Sequence, residues 1–273
     1  MDAAIPINIM DYTSACQAKL TLSEMADALG KHVAVCSLCR KPAVLCDSHI
    51  VPEFLYKQLY NDKRQLLGIN GVGPRGGKFL QKGLREPLFC DRCEQHFNDH
   101  LEKPFLKQWI KRSPLPSSLA PGTFYEVNVD YASFKLFHLC VLFRAGVCSL
   151  QTFRDVSLGI SHEERLRRML LECKPGPPHR YPIWGYAVLH HRTNQLVPMV
   201  SRAQARRSNG YRCYGMMYGG VEWWISMSLH TRPKFEERVL QADGRVQILA
   251  RDWREVHVIQ EAGAALRGEF QTS

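Results

Sequence analysis

The sequence has no hydrophobic run long enough to cross a lipid bilayer. Its most apolar stretch, Phe134 to Val147, is interrupted by Lys135, His138 and Arg144, and it falls short of the roughly 20 apolar residues that a spanning helix needs. The first residues, Met1 to Pro6, lack the basic segment and apolar run of a secretory signal. We therefore expect a cytoplasmic protein with no membrane partner.

Acidic residues are too few to balance the basic ones. The 273 residues include 36 Lys and Arg against 26 Asp and Glu, which gives a formal net charge of +10. The segment 31–112 has the densest surplus, with 15 basic and 8 acidic residues. Such an excess favours an anionic partner, and nucleic acid, with DNA the favoured form, is the first candidate. A basic protein with no polyanionic partner is the alternative.

The ten cysteines are not expected to form disulfides, because the cytosol keeps thiols reduced. Four of them form two pairs with two residues between the partners: Cys36 with Cys39, and Cys90 with Cys93. This spacing lets both thiolates of a pair face one tetrahedral ion. The sequence therefore predicts a structural Zn²⁺ held by these four cysteines. Cys46 is a further candidate ligand, or a small buried residue.

Composition and turn residues divide the chain into four parts. We predict an N-terminal helical segment over 1–32, a zinc-bound domain over 33–112, a linker over 113–122 that is rich in proline and serine, and a C-terminal domain over 123–273. The C-terminal part alternates helix and strand signals. The fold class expected for the whole chain is α+β, with a small zinc-stapled domain followed by an α+β domain that has an antiparallel sheet.

Several elements are predicted with defined positions. A helix starts near Asp91 and runs through Glu102, where Pro104 disturbs it. A buried helix spans Tyr131 to Val147, and a second helix, Glu164 to Cys173, has a capping box that begins at Ser161. The strand signals fall at 124–129, 183–190, 195–200, 211–218, 221–229 and 246–250.

The first cysteine pair is followed by Asp47-Ser48-His49-Ile50-Val51-Pro52, and the second opens the helix that contains Asn98. His49 comes ten residues after Cys39, and a glycine-rich insert separates it from the second pair. This order resembles the zinc-stapled HNH endonucleases, in which a ββα-metal site lies between two such cysteine knuckles. The resemblance covers about residues 33–105, a little over a quarter of the chain.

The resemblance implies an HNH-like, metal-dependent endonuclease that hydrolyses nucleic acid. His49 matches the family's general base, and Asn98 stands at the helix position that usually carries a metal-binding histidine. The family's single catalytic ion, here Mg²⁺ or Mn²⁺, stabilises the leaving oxygen. The chain departs from the family at two places: Ser48 replaces the usual Asp or His, and Arg85 replaces the middle Asn. An enzyme of this kind would suit bacterial restriction or phage defence.

Three further residues are candidate ligands of the catalytic ion. Asp47 can substitute for the residue at position 48, and His96 and His100, four residues apart, share one face of the predicted helix. The alternative is that these histidines are surface residues, that Asn98 has a packing or capping role, and that His49 only makes a hydrogen bond within the zinc loop.

Basic residues in two regions are candidates for nucleic-acid contact. Arg75 and Lys78 lie in the glycine-rich insert, and Arg202, Arg206 and Arg207 lie beside aromatic residues in the C-terminal part. A mobile solvated loop and a solvated strand face are the respective alternatives.

Two other functions fit the same sequence. The zinc-stabilised scaffold can be a non-catalytic module that binds nucleic acid, consistent with the departures at Ser48 and Arg85. It can also belong to an interaction protein whose C-terminal domain docks onto a protein partner.

Overall fold

The computed structural model describes residues 33–69, 77–80, 83–208, 210–229, 236–256 and 259–260. These residues form a mixed α and β structure, so the expected α+β class is confirmed at this level. The predicted helical segment 1–32 and Arg75 lie outside the described residues. No helix among those described is both long and apolar enough to span a membrane.

The N-terminal part is built on a three-stranded sheet in the order β1–β2–β5, from strands β1 (Val33–Val35), β2 (Pro42–His49) and β5 (Arg85–Cys90). Both pairings are antiparallel. A β-bulge interrupts the β2–β5 register between Cys46 and Asp47. Strands β3 (Leu66–Ile69) and β4 (Gly77–Leu80) form a separate hairpin within the long β2–β5 connection.

Helix α1 (Asp91–Phe97) follows β5 directly. As predicted, the regular α geometry is disturbed around Pro104, but the helical segment does not end there: it continues through a π turn (Asn98–Glu102), a short α turn (Lys103–Phe105) and a second π turn (Leu106–Lys111). A proline ring clashes with the carbonyl four residues earlier in a regular α-helix. The wider π turn before Pro104 moves that carbonyl aside, so the helical segment 91–111 passes the proline.

Helix α2 (Tyr131–Val147) has the bounds that its sequence predicts, and the side chains from Phe134 to Ala145 are all buried. Helix α3 (Ile160–Leu171) begins earlier than predicted, and the predicted capping box is wrong. Its N-cap is Gly159, which has a φ of 73° and makes no side-chain cap. Because glycine adopts positive φ without strain, the chain turns into the helix there and Ser161 lies within the first turn.

The C-terminal sheet has six strands in the order β6–β11–β7–β10–β9–β8. The strands are β6 (Phe124–Asn128), β7 (Ile183–Leu189), β8 (Gln204–Ser208), β9 (Tyr211–Tyr218), β10 (Val221–Ser226) and β11 (Arg245–Asp252). The prediction of an antiparallel sheet needs correction, since β11 pairs with β7 in parallel. Segment 195–200 is not a strand, because its only ladder contact is the isolated bridge between Leu189 and Leu196.

One hydrophobic core extends from the part of the chain with the paired cysteines into the six-stranded sheet, and it includes the buried residues of α2. Leu115 and Leu119 of the predicted linker are buried in this core, and Leu119 N–H donates to the carbonyl of Asn194. Segment 113–122 is therefore anchored to the core at these two positions, while most of its other residues are exposed. The division into domains at these boundaries stays a prediction.

Candidate metal centre and the polar site beside it

The four paired cysteines meet at one point. Their Sγ atoms all lie within 4.8 Å of one another, and Cys39 Sγ is 3.9 Å from Cys90 Sγ. The first pair lies on the turn between β1 and β2, and the second spans the junction of β5 with α1. The backbone N–H of Cys90 donates to Cys36 Sγ at 3.4 Å. The sheet pairing therefore brings together two cysteine pairs that are about fifty residues apart in the sequence.

This group fits a tetrahedral structural metal such as zinc. Four sulfurs about 2.3 Å from a central ion are about 3.8 Å apart, close to the separation seen here. Burial, together with the thiols of Cys90 and Cys36, raises the pKa of Cys93 in the metal-free arrangement. A divalent cation reverses that effect because it stabilises thiolates. Cys46 is outside the group.

Helix α3 braces the first cysteine turn. Arg167 donates from Nη1 to the carbonyl of Leu38 at 2.7 Å while it also binds Glu164 through two hydrogen bonds. Arg40, which has a φ of 60°, pairs with Glu163 at 2.7 Å. The C-terminal part of the chain thus holds the first cysteine turn in place.

His49 ends strand β2 and faces a carboxylate. Its Nε2 atom lies 2.5 Å from Oε2 of Glu53; both atoms are buried, and the contact is an ion-pair contact whose alignment does not meet hydrogen-bond geometry. Glu53 opens a 3-10 turn (Glu53–Leu55), and its other oxygen accepts a hydrogen bond from the Tyr60 hydroxyl at 2.7 Å. Burial lowers the pKa of His49, with Glu53 opposing this effect and Arg85 adding to it. The histidine side chain remains 24% exposed, so solvent reaches it.

Asp47 and Arg85 form an ion pair next to His49. Arg85 Nη1 lies 3.0 Å from Asp47 Oδ2, and Arg85 is the register partner of His49. Ser48 points to the other face of the strand, where it is 2% exposed and its hydroxyl donates to the carbonyl of Cys46. Thus the carboxylate of Asp47 is engaged by a cation, and Ser48 is a buried, satisfied group.

A buried arginine of α2 lies against the helical segment 91–111. Arg144 is 1% exposed, and its Nη2 lies 2.8 Å from Glu102 and 3.5 Å from Glu94. Its guanidinium also packs over the ring of Phe97 at 5.0 Å. Asn98 lies midway between the two glutamates along the helix, at the four-residue spacing that places side chains on one face. The Arg144 charge also lowers the pKa of His49, so this face lies near the histidine.

The structure places His96 away from that face. Its Nε2 lies 2.9 Å from the carbonyl oxygen of Leu170, near the end of α3, and its ring contacts that of His100 at 4.9 Å. Residues two positions apart project about 200° from each other around an α-helix. His96 and Asn98 therefore are not brought together, and the metal-binding role of His96 and His100 stays a prediction.

The predicted nucleic-acid contacts lie in different parts of the fold. Arg206 and Arg207 are exposed on the edge strand β8, with Arg206 over the ring of Trp224 at 5.1 Å. Arg202 lies 3.2 Å from Asp155. Lys78 lies in β4, but its side chain is outside the described part of the chain, as is Arg75.

Sequence reasoning missed two residues of the polar site, Glu53 and Arg144. Glu53 had a local signal, because it follows His49 by four residues across a proline, a spacing at which a turn returns the chain. Arg144 had none, since its partners are about fifty residues away and meet it only through packing.

Among the described residues, the four cysteines form the only group of three or more His, Cys, Asp or Glu side chains close enough to share an ion. Comparisons of the chain with protein-family models, with curated proteins and with solved structures gave no match. The functional conclusion therefore comes from the geometry of the chain itself.

Proposed function

We propose that this chain is an HNH-like endonuclease that hydrolyses phosphodiester bonds in nucleic acid, with DNA the favoured substrate. One observation carries the proposal: His49 stands at the end of a strand in a β2–β5–α1 unit joined by a four-cysteine group, and a carboxylate lies against its ring. The order of strand, long connection, strand and helix agrees with the ββα arrangement that the sequence resembles.

His49 is suited to act as the general base. A carboxylate has no proton to donate, so the negative charge of Glu53 beside Nε2 favours the tautomer that carries the proton on that atom. The lone pair then lies on Nδ1, which takes the proton from the attacking water. Because burial and Arg85 hold the pKa of His49 below its ordinary value, the ring is neutral and basic at pH 7.

Arg85 supplies positive charge beside the base. It stands where the resembled family has an asparagine, and its side chain is 23% exposed. A guanidinium in this position can bind a non-bridging oxygen of the phosphate under attack. The Asp47 partner keeps the guanidinium at this end of the sheet.

The resemblance also implies a catalytic Mg²⁺ or Mn²⁺. The described residues do not fit a pre-assembled site for this ion, because Asp47 is paired with Arg85 and His96 is bonded to a backbone carbonyl. We therefore assign no step to the ion. Its requirement is tested directly by adding each metal in the cleavage assay.

The decisive experiment is cleavage of supercoiled plasmid and of single-stranded DNA by the full-length, zinc-loaded chain with added Mg²⁺ or Mn²⁺. We expect His49→Ala to lower the rate by about 10²- to 10⁴-fold, the usual contribution of a general base. His191→Ala is the matched control, since His191 lies at the far end of β7 against Trp253. Equal zinc content in the three proteins excludes a folding defect. Undiminished cleavage by His49→Ala would overturn the proposal.

A second function, a zinc-stabilised binding module without catalysis, is favoured by the buried and satisfied hydroxyl of Ser48. In the resembled family that position carries a metal ligand. This alternative predicts salt-dependent binding of nucleic acid with no strand cleavage at any metal concentration. A protein-interaction module predicts a stoichiometric protein complex and no affinity for nucleic acid.

A further inference from the structure

A group of cations lies beside the N-terminal half of α3, where the chain that leads to β7 passes this end of the helix. It comprises Lys135, Arg165 and Arg180, and is here named the α3-end cation cluster. His162 lies beside it, and burial and the charge of Arg165 lower the pKa of this histidine, so its ring is neutral at pH 7. Lys135 projects from α2, is 1% exposed, and donates from Nζ to the carbonyl of Pro177 at 2.7 Å and to the Tyr131 hydroxyl at 3.1 Å. Both partners are neutral, so this buried ammonium has no hydrogen-bonded counter-ion.

Arg180 adds a second cation, which has an unsatisfied donor. Its Nε atom is buried and has no hydrogen-bond partner. Its side chain passes over Gly176, where an added Cβ would lie 3.5 Å from Arg180 Cδ. Burial and the charge of Arg180 together lower the pKa of Lys135 to about 7, which shows that the two cations act on each other.

The third cation, Arg165, and the neighbouring His162 lie beside Tyr181. The Tyr181 hydroxyl lies 2.9 Å from His162 Nδ1. Burial raises the pKa of Tyr181, and Arg165 and Arg180 both oppose that effect, so both guanidinium groups lie near this hydroxyl. The side chains of Arg165 and Arg180 are half-buried and so remain accessible to a ligand.

The carboxylates of α3 and the residue after it are already engaged elsewhere. Glu163 pairs with Arg40, and Glu164 pairs with Arg167. Glu172, just after the helix, lies 3.0 Å from Lys174 and 3.8 Å from Arg168. Across the described ranges, no carboxylate forms an ion pair with Arg165, Arg180 or Lys135. Partly buried positive charge without a counter-ion is costly, and the cost is removed when an anion binds.

We propose that the α3-end cation cluster is a phosphate-binding site, and that the phosphate is supplied by a nucleic-acid backbone. Arg165 and Arg180 make the direct contacts, because the planar guanidinium donates to two phosphate oxygens at once. Lys135 lies behind them and adds positive charge. The phosphate site itself is independent of the proposed function, whereas nucleic acid as its source rests on it.

The test uses the full-length zinc-loaded chain without added catalytic metal, so that no strand is cut. One arm measures the thermal shift caused by inorganic phosphate at constant ionic strength, with chloride as the reference. The other measures the affinity of a fluorescein-labelled oligonucleotide by anisotropy over a series of salt concentrations. Arg165→Gln and Arg180→Gln are compared with the control Arg168→Gln, which removes a 66% exposed arginine of the same helix.

If the site binds backbone phosphate, phosphate stabilises the wild type and the control but neither cluster variant. The cluster variants then also bind the oligonucleotide about fivefold or more weakly, and each lowers the slope of log K against log salt by about 1. A response in the phosphate arm alone supports the site and overturns nucleic acid as its source. Cluster variants that match Arg168→Gln in both arms overturn the proposal. Because neither arm measures cleavage, each outcome is independent of whether the chain is a nuclease.

Discussion

Replacement of Arg144 by methionine should destabilise the fold, because it removes one buried positive charge and leaves two carboxylates without their ion-pair partner. Arg144 is 1% exposed, while the side chains of Glu102 and Glu94 are 18% and 25% exposed. Methionine keeps an apolar, unbranched side chain against Phe97, so the loss reports mainly on charge. The variant therefore tests whether this arginine joins α2 to the helical segment 91–111.

The magnitude follows from the burial of the three groups. Removing one partner of a buried ion pair costs about 3–5 kcal/mol. Because water reaches both glutamates, we expect the lower end of this range, about 3 kcal/mol at pH 7. For a chain of this size, that corresponds to a decrease in Tm of about 6–12 °C. The loss of unfolding free energy in Arg144→Met, relative to the wild type, should become smaller as the pH falls toward about 4.3, where the uncompensated carboxylates take up protons.

The assay is urea unfolding followed by circular dichroism, with zinc content matched between proteins. The triple variant R144M/E94Q/E102Q should regain most of the lost stability, since it leaves no uncompensated charge. Arg168→Met, at a 66% exposed position, should change the unfolding free energy by less than about 0.5 kcal/mol. Two results would refute the reasoning: a decrease in unfolding free energy of less than about 1 kcal/mol for Arg144→Met, or a triple variant that is no more stable than Arg144→Met.

Three further outcomes follow from the geometry. Cys90→Ser should lose bound zinc and have a lower Tm, whereas Cys46→Ser, which lies outside the four-cysteine group, should keep the zinc. Equal zinc content of the two variants by mass spectrometry would contradict the assignment of the metal ligands. Glu53→Gln should slow cleavage about tenfold or more with little change in KM, because the ring of His49 loses the carboxylate that favours its tautomer. An unchanged cleavage rate would show that Glu53 has no part in the mechanism. Lys135 has a folded-state pKa of about 7, below its ordinary value, so the unfolded chain binds the proton more tightly and the group destabilises the fold most below pH 7. Lys135→Met should therefore have a larger free energy of unfolding than the wild type at pH 7. This difference should shrink as the pH rises toward about 10.4, and a difference independent of pH would disprove the prediction.

Local signals predicted the elements whose residues interact mainly with near neighbours in sequence. The apolar run from Tyr131 to Val147 identified α2 with its observed bounds, although it contains three basic residues. Strand β9 also has its predicted bounds, 211–218. The helix that begins at Asp91 was predicted at its start but not at its end, because the π turns that accommodate Pro104 have no simple sequence signature.

Sequence patterns did not predict which distant strands and side chains pair with one another. The parallel alignment of β11 with β7 depends on where β11 inserts in the sheet, not on the alternation within either strand. The α3-end cation cluster likewise joins Lys135 with residues that lie some thirty to forty-five positions further along the chain. Its lack of carboxylates becomes visible only when the partners of Glu163 and Glu164 are known.

The sequence alone predicted which four cysteines come together as a candidate metal-ligand set, because a separation of two residues lets paired cysteines face one tetrahedral ion. It also singled out His49 by its place after the first cysteine pair. Only the tertiary structure decided what faces these groups. It set Glu53 against His49, placed Arg144 between two glutamates, and engaged Asp47 with Arg85. The physical reason is that donor spacing is a local property of the chain, whereas charge partners and burial depend on which distant segments pack together.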